Sequence, residues 1–136
     1  MKRASKALAV AALTALAVAG AGAAPAAATD VLLPHPGPDG LVWVPERTGD
    51  GGVVSGGAWD RLPTVLTVAC EGGGSARVTM ESQGVEVAAF TVDCPVGTAG
   101  VGAMTMDAGA VRGSFSVAVD TSTESTRWAL TVTQPE

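Results

Sequence analysis

Isoleucine, asparagine and tyrosine are absent from this 136-residue chain, lysine occurs only at Lys2 and Lys6, and the one histidine is His35. The missing residue types are those whose codons are richest in A and T. Their loss therefore points to a GC-rich genome and does not by itself signify missing functions. The other scarcities are chemical. Beyond Lys6 the cations are five dispersed arginines, Arg47, Arg61, Arg77, Arg112 and Arg127, set against thirteen carboxylates. Without a basic cluster, nucleic acid and anionic membrane surfaces are poor partners.

A single histidine between prolines gives neither a metal-ligand set nor a serine–histidine–acid apparatus, both of which need that ring held rigidly by other groups. No G-x-S-x-G occurs, and glycine stretches such as GDGGVVSGG lack the P-loop lysine and its strand-to-helix setting. Long helical periodicity is also missing after the first residues, which argues against a helical domain.

What is present begins with an export signal. Lys2, Arg3 and Lys6 form a positive region, Ala7 to Gly20 an apolar one, and APAAATD a small-residue cleavage site. A cut after Ala28 makes residues 1–28 the signal peptide and leaves a chain of formal charge −8, five arginines against thirteen carboxylates. The apolar stretch is mostly alanine and lacks a following stop-transfer cluster, so no stable membrane insertion is expected once the signal is cleaved. Lys2-Arg3 in place of two arginines favours the general export route. A signal without cysteine rules out lipid attachment at the cut. The expected location is secreted and extracellular.

Residues 29–40, TDVLLPHPGPDG, hold three prolines and are expected to be a flexible Pro/Gly-rich leader. Residues 41–136 are expected to be one domain, of a size at which a crosslink helps. Short runs rich in Val and Thr recur there between glycine clusters. Eight are legible, at 41–44, 53–55, 65–70, 76–81, 85–93, 101–106, 114–120 and 126–133. Seven or eight short strands at this spacing predict a small all-β antiparallel sandwich, Greek-key/immunoglobulin-like or jelly-roll-like, with one disulfide.

Alternation assigns the faces. Phe115, Val117 and Val119 share one side of their strand, as do Trp128, Leu130 and Val132, and the polar turn DTSTES between these strands predicts a hairpin. Ala76, Val78 and Met80 form another inward row, and Leu66 and Val68 share their parity with Cys70. In 85–93 the parity slips between Val87 and Phe90, which predicts a β-bulge near Ala88-Ala89.

Cys70 and Cys94 are the only cysteines, and in an exported chain they are expected to be oxidised. In a flat meander of strands 65–70, 76–81 and 85–93 they would lie two strand spacings apart, about 9.5 Å. Bridged Cα atoms lie about 4.4 to 6.8 Å apart, so the pair requires that EGGGS carry the chain to the opposing sheet, or that Cys94 fold inward past its strand. A bridge between sheets at one end of a sandwich is the favoured reading.

The order Cys70, glycine-rich turn, strand, SQG turn, strand, Cys94 and a terminal strand TRWALTVTQ is similar to small secreted or lipid-anchored β-sandwich proteins of actinobacteria, mostly without an assigned function. The resemblance covers about residues 65–134 and implies a fold without implying catalytic residues. DCPVG at Asp93 to Gly97 loosely resembles the subtilisin-inhibitor family of related bacteria, whose second disulfide this chain cannot form.

Few side chains are left as candidates for chemistry. Glu71, Glu81, Glu86 and Asp93 cluster in sequence, but Glu81 and Glu86 fall at outward positions beside a turn, as a solvated face would. Asp50, Asp60, Asp107 and Asp120 do not form a dense calcium-loop pattern. Phe90, Phe115 and Trp128 belong to core faces. Trp43 and Trp59, in the less regular N-terminal half, are the candidates for an exposed binding surface, with packing into the core or rim as the competing assignment. The expectation is a secreted, monomeric, non-catalytic module without metal or cofactor, binding an extracellular protein or glycan. An inhibitor of extracellular proteases and an unrecognised secreted hydrolase are the alternatives.

Overall fold

In the computed structural model of the chain, residues 31–136 are described, so the expected signal peptide at 1–28 lies outside the described residues. Eight antiparallel strands follow a short 3-10 turn at Gly37–Asp39. They are β1 (Gly40–Thr48), β2 (Gly51–Ala58), β3 (Thr64–Glu71), β4 (Ser75–Ser82), β5 (Val85–Asp93), β6 (Gly100–Met106), β7 (Gly113–Thr121) and β8 (Arg127–Thr133). Each matches one of the Val/Thr runs read from the sequence, because β-branched side chains suit a pleated, half-buried surface.

The strands form two four-stranded sheets, A in the order β1-β8-β3-β6 and B in the order β2-β7-β4-β5. Four of the pairings, β1 with β8, β2 with β7, β3 with β6 and β4 with β5, are nested. The chain is thus one long antiparallel ribbon, rolled so that β8 also meets β3 and β7 also meets β4. This order is that of a jelly roll, which decides between the two topologies expected. The tip of the ribbon is the SQG turn, where Gln83 (φ 54) and Gly84 (φ 80) both take the left-handed conformation that a two-residue hairpin turn demands.

The core lies between the sheets. Leu66, Val68, Trp128, Leu130 and Val132 of sheet A face Ala76, Val78, Met80, Phe115, Val117 and Val119 of sheet B, all buried and all on the parity that the alternation assigns. Trp128 has no exposed surface, and its Nε1–H donates to the Gly49 carbonyl at 2.7 Å, so the buried donor is satisfied.

Two local expectations are corrected. β7 and β8 are not a hairpin: DTSTES crosses from sheet B to sheet A, and β8 is flanked by β1 and β3. Its outward residues Ala129 and Thr131 are therefore buried too. Parity reports which side of a strand is apolar and cannot report which sheet the strand joins. The irregularity in β5 falls at Val87, which has no partner between the pairs Ala88–Met80 and Glu86–Glu81. It lies just before the expected position and leaves Val85 exposed. The Pro-rich segment preceding β1 is tied to the domain: Leu33 accepts from Trp43 Nε1 at 3.1 Å, and Asp39 accepts from the Gln134 amide at 2.9 Å.

The disulfide is formed between Cys70, in the last turn of pleat of β3, and Cys94, just past β5, with Cα atoms 5.0 Å apart. β3 belongs to sheet A and β5 to sheet B, so the bond joins the sheets at one end, the favoured of the two arrangements that the spacing allowed. EGGGS makes the crossing. Gly72 and Gly74 have φ of +105° and +75°, and a Cβ at Gly74 would lie 2.2 Å from Ser122 Oγ. The same turn is laced to its neighbours by Gly72 N–H to Pro95 O, Gly73 N–H to Cys94 O and Cys94 N–H to Gly74 O, at 3.0, 2.7 and 2.9 Å.

Candidate functional site

The β2–β3 connection, residues 59–63, sits at the end of the sandwich where β8 terminates. Gln134 is buried there and reaches across to the loop. Its Oε1 accepts from the Trp59 amide at 2.8 Å, and its Nε2 donates to the Trp59 carbonyl at 2.8 Å and to Thr64 Oγ1 at 3.1 Å. Both backbone groups of Trp59 are thereby fixed by one side chain, while Trp59 itself is 55% exposed. An aromatic ring held out from a pinned backbone loses little freedom when a ligand stacks on it.

Trp43 is on β1 and is 38% exposed. It faces outward between the buried Val42 and Val44, at the margin of the outer face of sheet A, in a cross-strand row with Thr131, Thr67 and Ala103. Its Nε1–H is committed to the Leu33 carbonyl, and His35 packs edge-on against its ring, with centroids 4.9 Å apart and planes at 71°. His35 remains exposed, and its Nδ1 accepts from the Gly37 amide. The backbone of Trp59 is held by Gln134, three residues beyond the Thr131 that faces Trp43. The two tryptophans are therefore anchored on one C-terminal segment, about 10 Å apart along it at the rise of a β-strand.

The carboxylates have structural surroundings. Asp50 Oδ1 accepts from the Thr121 amide at 2.7 Å and from its hydroxyl at 3.2 Å, tying the β1–β2 turn to the end of β7. Arg127 joins Glu46 at 2.8 Å and Glu71, bridging β1, β8 and β3 across the outer face of sheet A. The hydrogen bond to Glu71 raises the Arg127 guanidinium above its ordinary range, burial opposes it, and the charge of Glu46 adds to the rise. Because the folded pKa is raised, this contribution is present throughout the physiological range and is lost only in strong base, as pH climbs through that pKa. Glu81 and Glu86 stand opposite each other at outward positions, as read from the sequence. Among the described residues no group of three or more His, Cys, Asp and Glu side chains is placed to hold a metal ion.

Two further surface features are present, the first of them without any signal in the sequence. A shallow depression of about 260 Å³ on the outer face of sheet B is lined by Val54, Glu81, Gln83, Gly84, Ser114 and Ser116, with Phe115 beneath. It joins β2, β4 and β7, which only the strand order makes neighbours. The second is the loop after Cys94. Its Val96 is 80% exposed, while the residues at its base are held by the disulfide and the three EGGGS hydrogen bonds. DCPVG marked this loop in the sequence, but its projection depends on the rolled topology.

No protein-family model matches the chain, and no curated protein or solved structure matches it. The fold is that of a jelly roll, an architecture that carries many unrelated functions.

Proposed function

We propose that this chain is a secreted, non-catalytic binding module that holds a sugar ring of an extracellular glycan against Trp59, with Trp43 as a second aromatic contact. The observation that carries the reading is the clamp of Gln134 on the backbone of an exposed Trp59. The flat indole face offers apolar area to the C–H face of a pyranose, and the polar loop around it, Asp60 and Arg61, offers hydrogen-bond partners for hydroxyls. The disulfide is compatible with secretion, and among the described residues no helix is long and apolar enough to cross a membrane.

The test is retention on insoluble and soluble polysaccharides. Trp59→Ala is expected to abolish retention, a loss of about 2 kcal/mol or more for an anchor aromatic, while lowering folding stability by no more than about 0.5 kcal/mol, as an exposed site should. Gln134→Ala keeps the ring and removes the clamp, so it should weaken retention through lost preorganisation. Retention unaffected by Trp59→Ala would refute the site. Binding to proteins but to no glycan would refute the ligand class while leaving the surface.

One observation favours a second reading, an inhibitor of an extracellular protease. The loop after Cys94 projects a small apolar residue, Val96, from a base held by the disulfide, as a substrate-like inhibitory loop must to resist cleavage. If it inhibits, the target is a protease with a small apolar primary pocket, and Val96→Asp should raise the inhibition constant at least about 100-fold, a cost of about 2.7 kcal/mol. No inhibition of elastase-like or subtilisin-like enzymes by the native protein would remove this reading.

A further inference from the structure

The edge strands of the two sheets are not alike. β1 carries Pro45, Glu46 and Arg47 and a break in register between Val44 and Arg47. β5 carries Glu86 and Asp93 and the irregularity at Val87. β2 loses register between Ser55 and Ala58. Charge, proline and bulges are the devices that stop an open sheet edge from pairing with another chain. β6 has none of them. Its sequence, GVGAMTM, is uncharged and free of proline, and it stays in register with β3 from Gly100 to Met106. The uncharged stretch runs back to Pro95, in a chain whose formal charge is −5. Two copies can therefore pair along β6 without setting carboxylates of that strand opposite each other.

This edge is also complementary to itself. An antiparallel pairing centred on Ala103 puts Ala103 opposite its own copy, Val101 opposite Thr105, Gly102 opposite Met104 and Gly100 opposite Met106, and repeats each pair across the two-fold. Every large side chain meets a small or β-branched one. Val101, Ala103 and Thr105 are exposed on the outer face, and Met104 is exposed although its parity is inward. At Gly102 there is no room for a side chain from its own strand. A Cβ would lie 2.7 Å from Val92 Cγ2 and 3.3 Å from the Phe90 ring, which is itself only partly buried. A methionine arriving from the opposite strand covers that glycine and the edge of Phe90 together, a contact suited to a flexible thioether.

We infer that two copies of this chain associate through β6, joining their A sheets edge to edge into one continuous sheet across a two-fold axis at Ala103. The monomer expected from sequence is replaced by a reversible homodimer, because edge status becomes visible only with the strand order. The inference is independent of the binding reading, since neither Trp43 nor Trp59 belongs to β6.

Sedimentation equilibrium and light scattering of the disulfide-bonded protein test it. The native protein is expected to shift from monomer to dimer at concentrations between about 1 μM and 1 mM, the range of a modest interface. Ala103→Glu and Ala103→Lys, at an exposed position, should each keep the native circular dichroism and remain monomeric, because each sets like charges opposite each other. Mixing the two variants should restore a one-to-one dimer, because position 103 faces position 103. A native protein that stays monomeric throughout, or a charged variant that dimerises as tightly as the native chain, would overturn the proposal. So would a mixture of the two variants that stays monomeric, since it would rule out pairing centred on Ala103.

Discussion

Replacing Cys70 and Cys94 together by alanine is expected to lower the unfolding free energy by about 3.5 kcal/mol, from the entropy of closing a loop of this length in the unfolded chain. The sequence separation is 24, and both cysteines are buried, so the variant loses the crosslink with little change in exposed surface. A domain of this size has about 5 to 15 kcal/mol in total. The loss is therefore a large share, and the melting temperature should fall by roughly 15 °C or more. Urea denaturation would read it as a lower midpoint. The bond acts where the sheets would otherwise part at one end, and the EGGGS lacing shares that task. A loss below about 1 kcal/mol would mean that the lacing suffices and that the unfolded chain is little constrained by the bond.

An effect of comparable size is expected at Trp128, which contrasts with the exposed Trp59 in burial. Trp128 sits on β8 between Cys70 of β3 and Arg47 of β1 with no exposed surface, its ring edge 3.1 Å from where a Cβ on Gly51 would lie. Truncation to alanine removes this packing and orphans the Gly49 carbonyl, which accepts from the indole at 2.7 Å. The expected cost is about 3 to 5 kcal/mol for the cavity, with about 1 kcal/mol more for the lost hydrogen bond. Trp128→Phe separates the two, keeping most of the ring volume and losing the donor. Measured by denaturant unfolding, Trp128→Ala should leave a barely folded protein while Trp59→Ala remains close to native. Equal costs at the two positions would contradict the burial assigned to both.

The parts of this structure that could be read from sequence are those set by local chemistry. Val/Thr runs bounded by glycine gave all eight strands, and alternation gave the inward rows, because a strand's two faces differ whatever sheet it joins. The disulfide was legible for a geometric reason: two cysteines on outer strands of a flat meander are too far apart, so either EGGGS had to cross to the opposing sheet or Cys94 had to fold inward past its strand, and the crossing was the favoured of the two. Partnership between strands was not legible. DTSTES looks like a hairpin turn and is a crossing, since nothing in six polar residues encodes whether the next strand pairs beside the last or opposite it. The candidate site was half visible. Trp43 and Trp59 stood out as large apolar residues outside regular alternation, but the clamp from Gln134 spans 75 residues of sequence and comes from no local signal. The bareness of β6 is written plainly in GVGAMTM, yet a buried central strand would read much the same.

The rolled ribbon also sets an order of events. β4 and β5 are joined by the SQG turn and can pair at once, whereas β1 pairs only with β8, at the far end of the described chain. A polypeptide emerging amino end first can zip the ribbon outward from its tip only as β6, β7 and β8 arrive, and β1 stays unpartnered until the last of them is delivered. Closing such distant pairings is slow, since loop entropy is lost before contacts form. Until β8 slides between β1 and β3, the nascent chain has no complete sheet A, so half of the sandwich waits on its last strand.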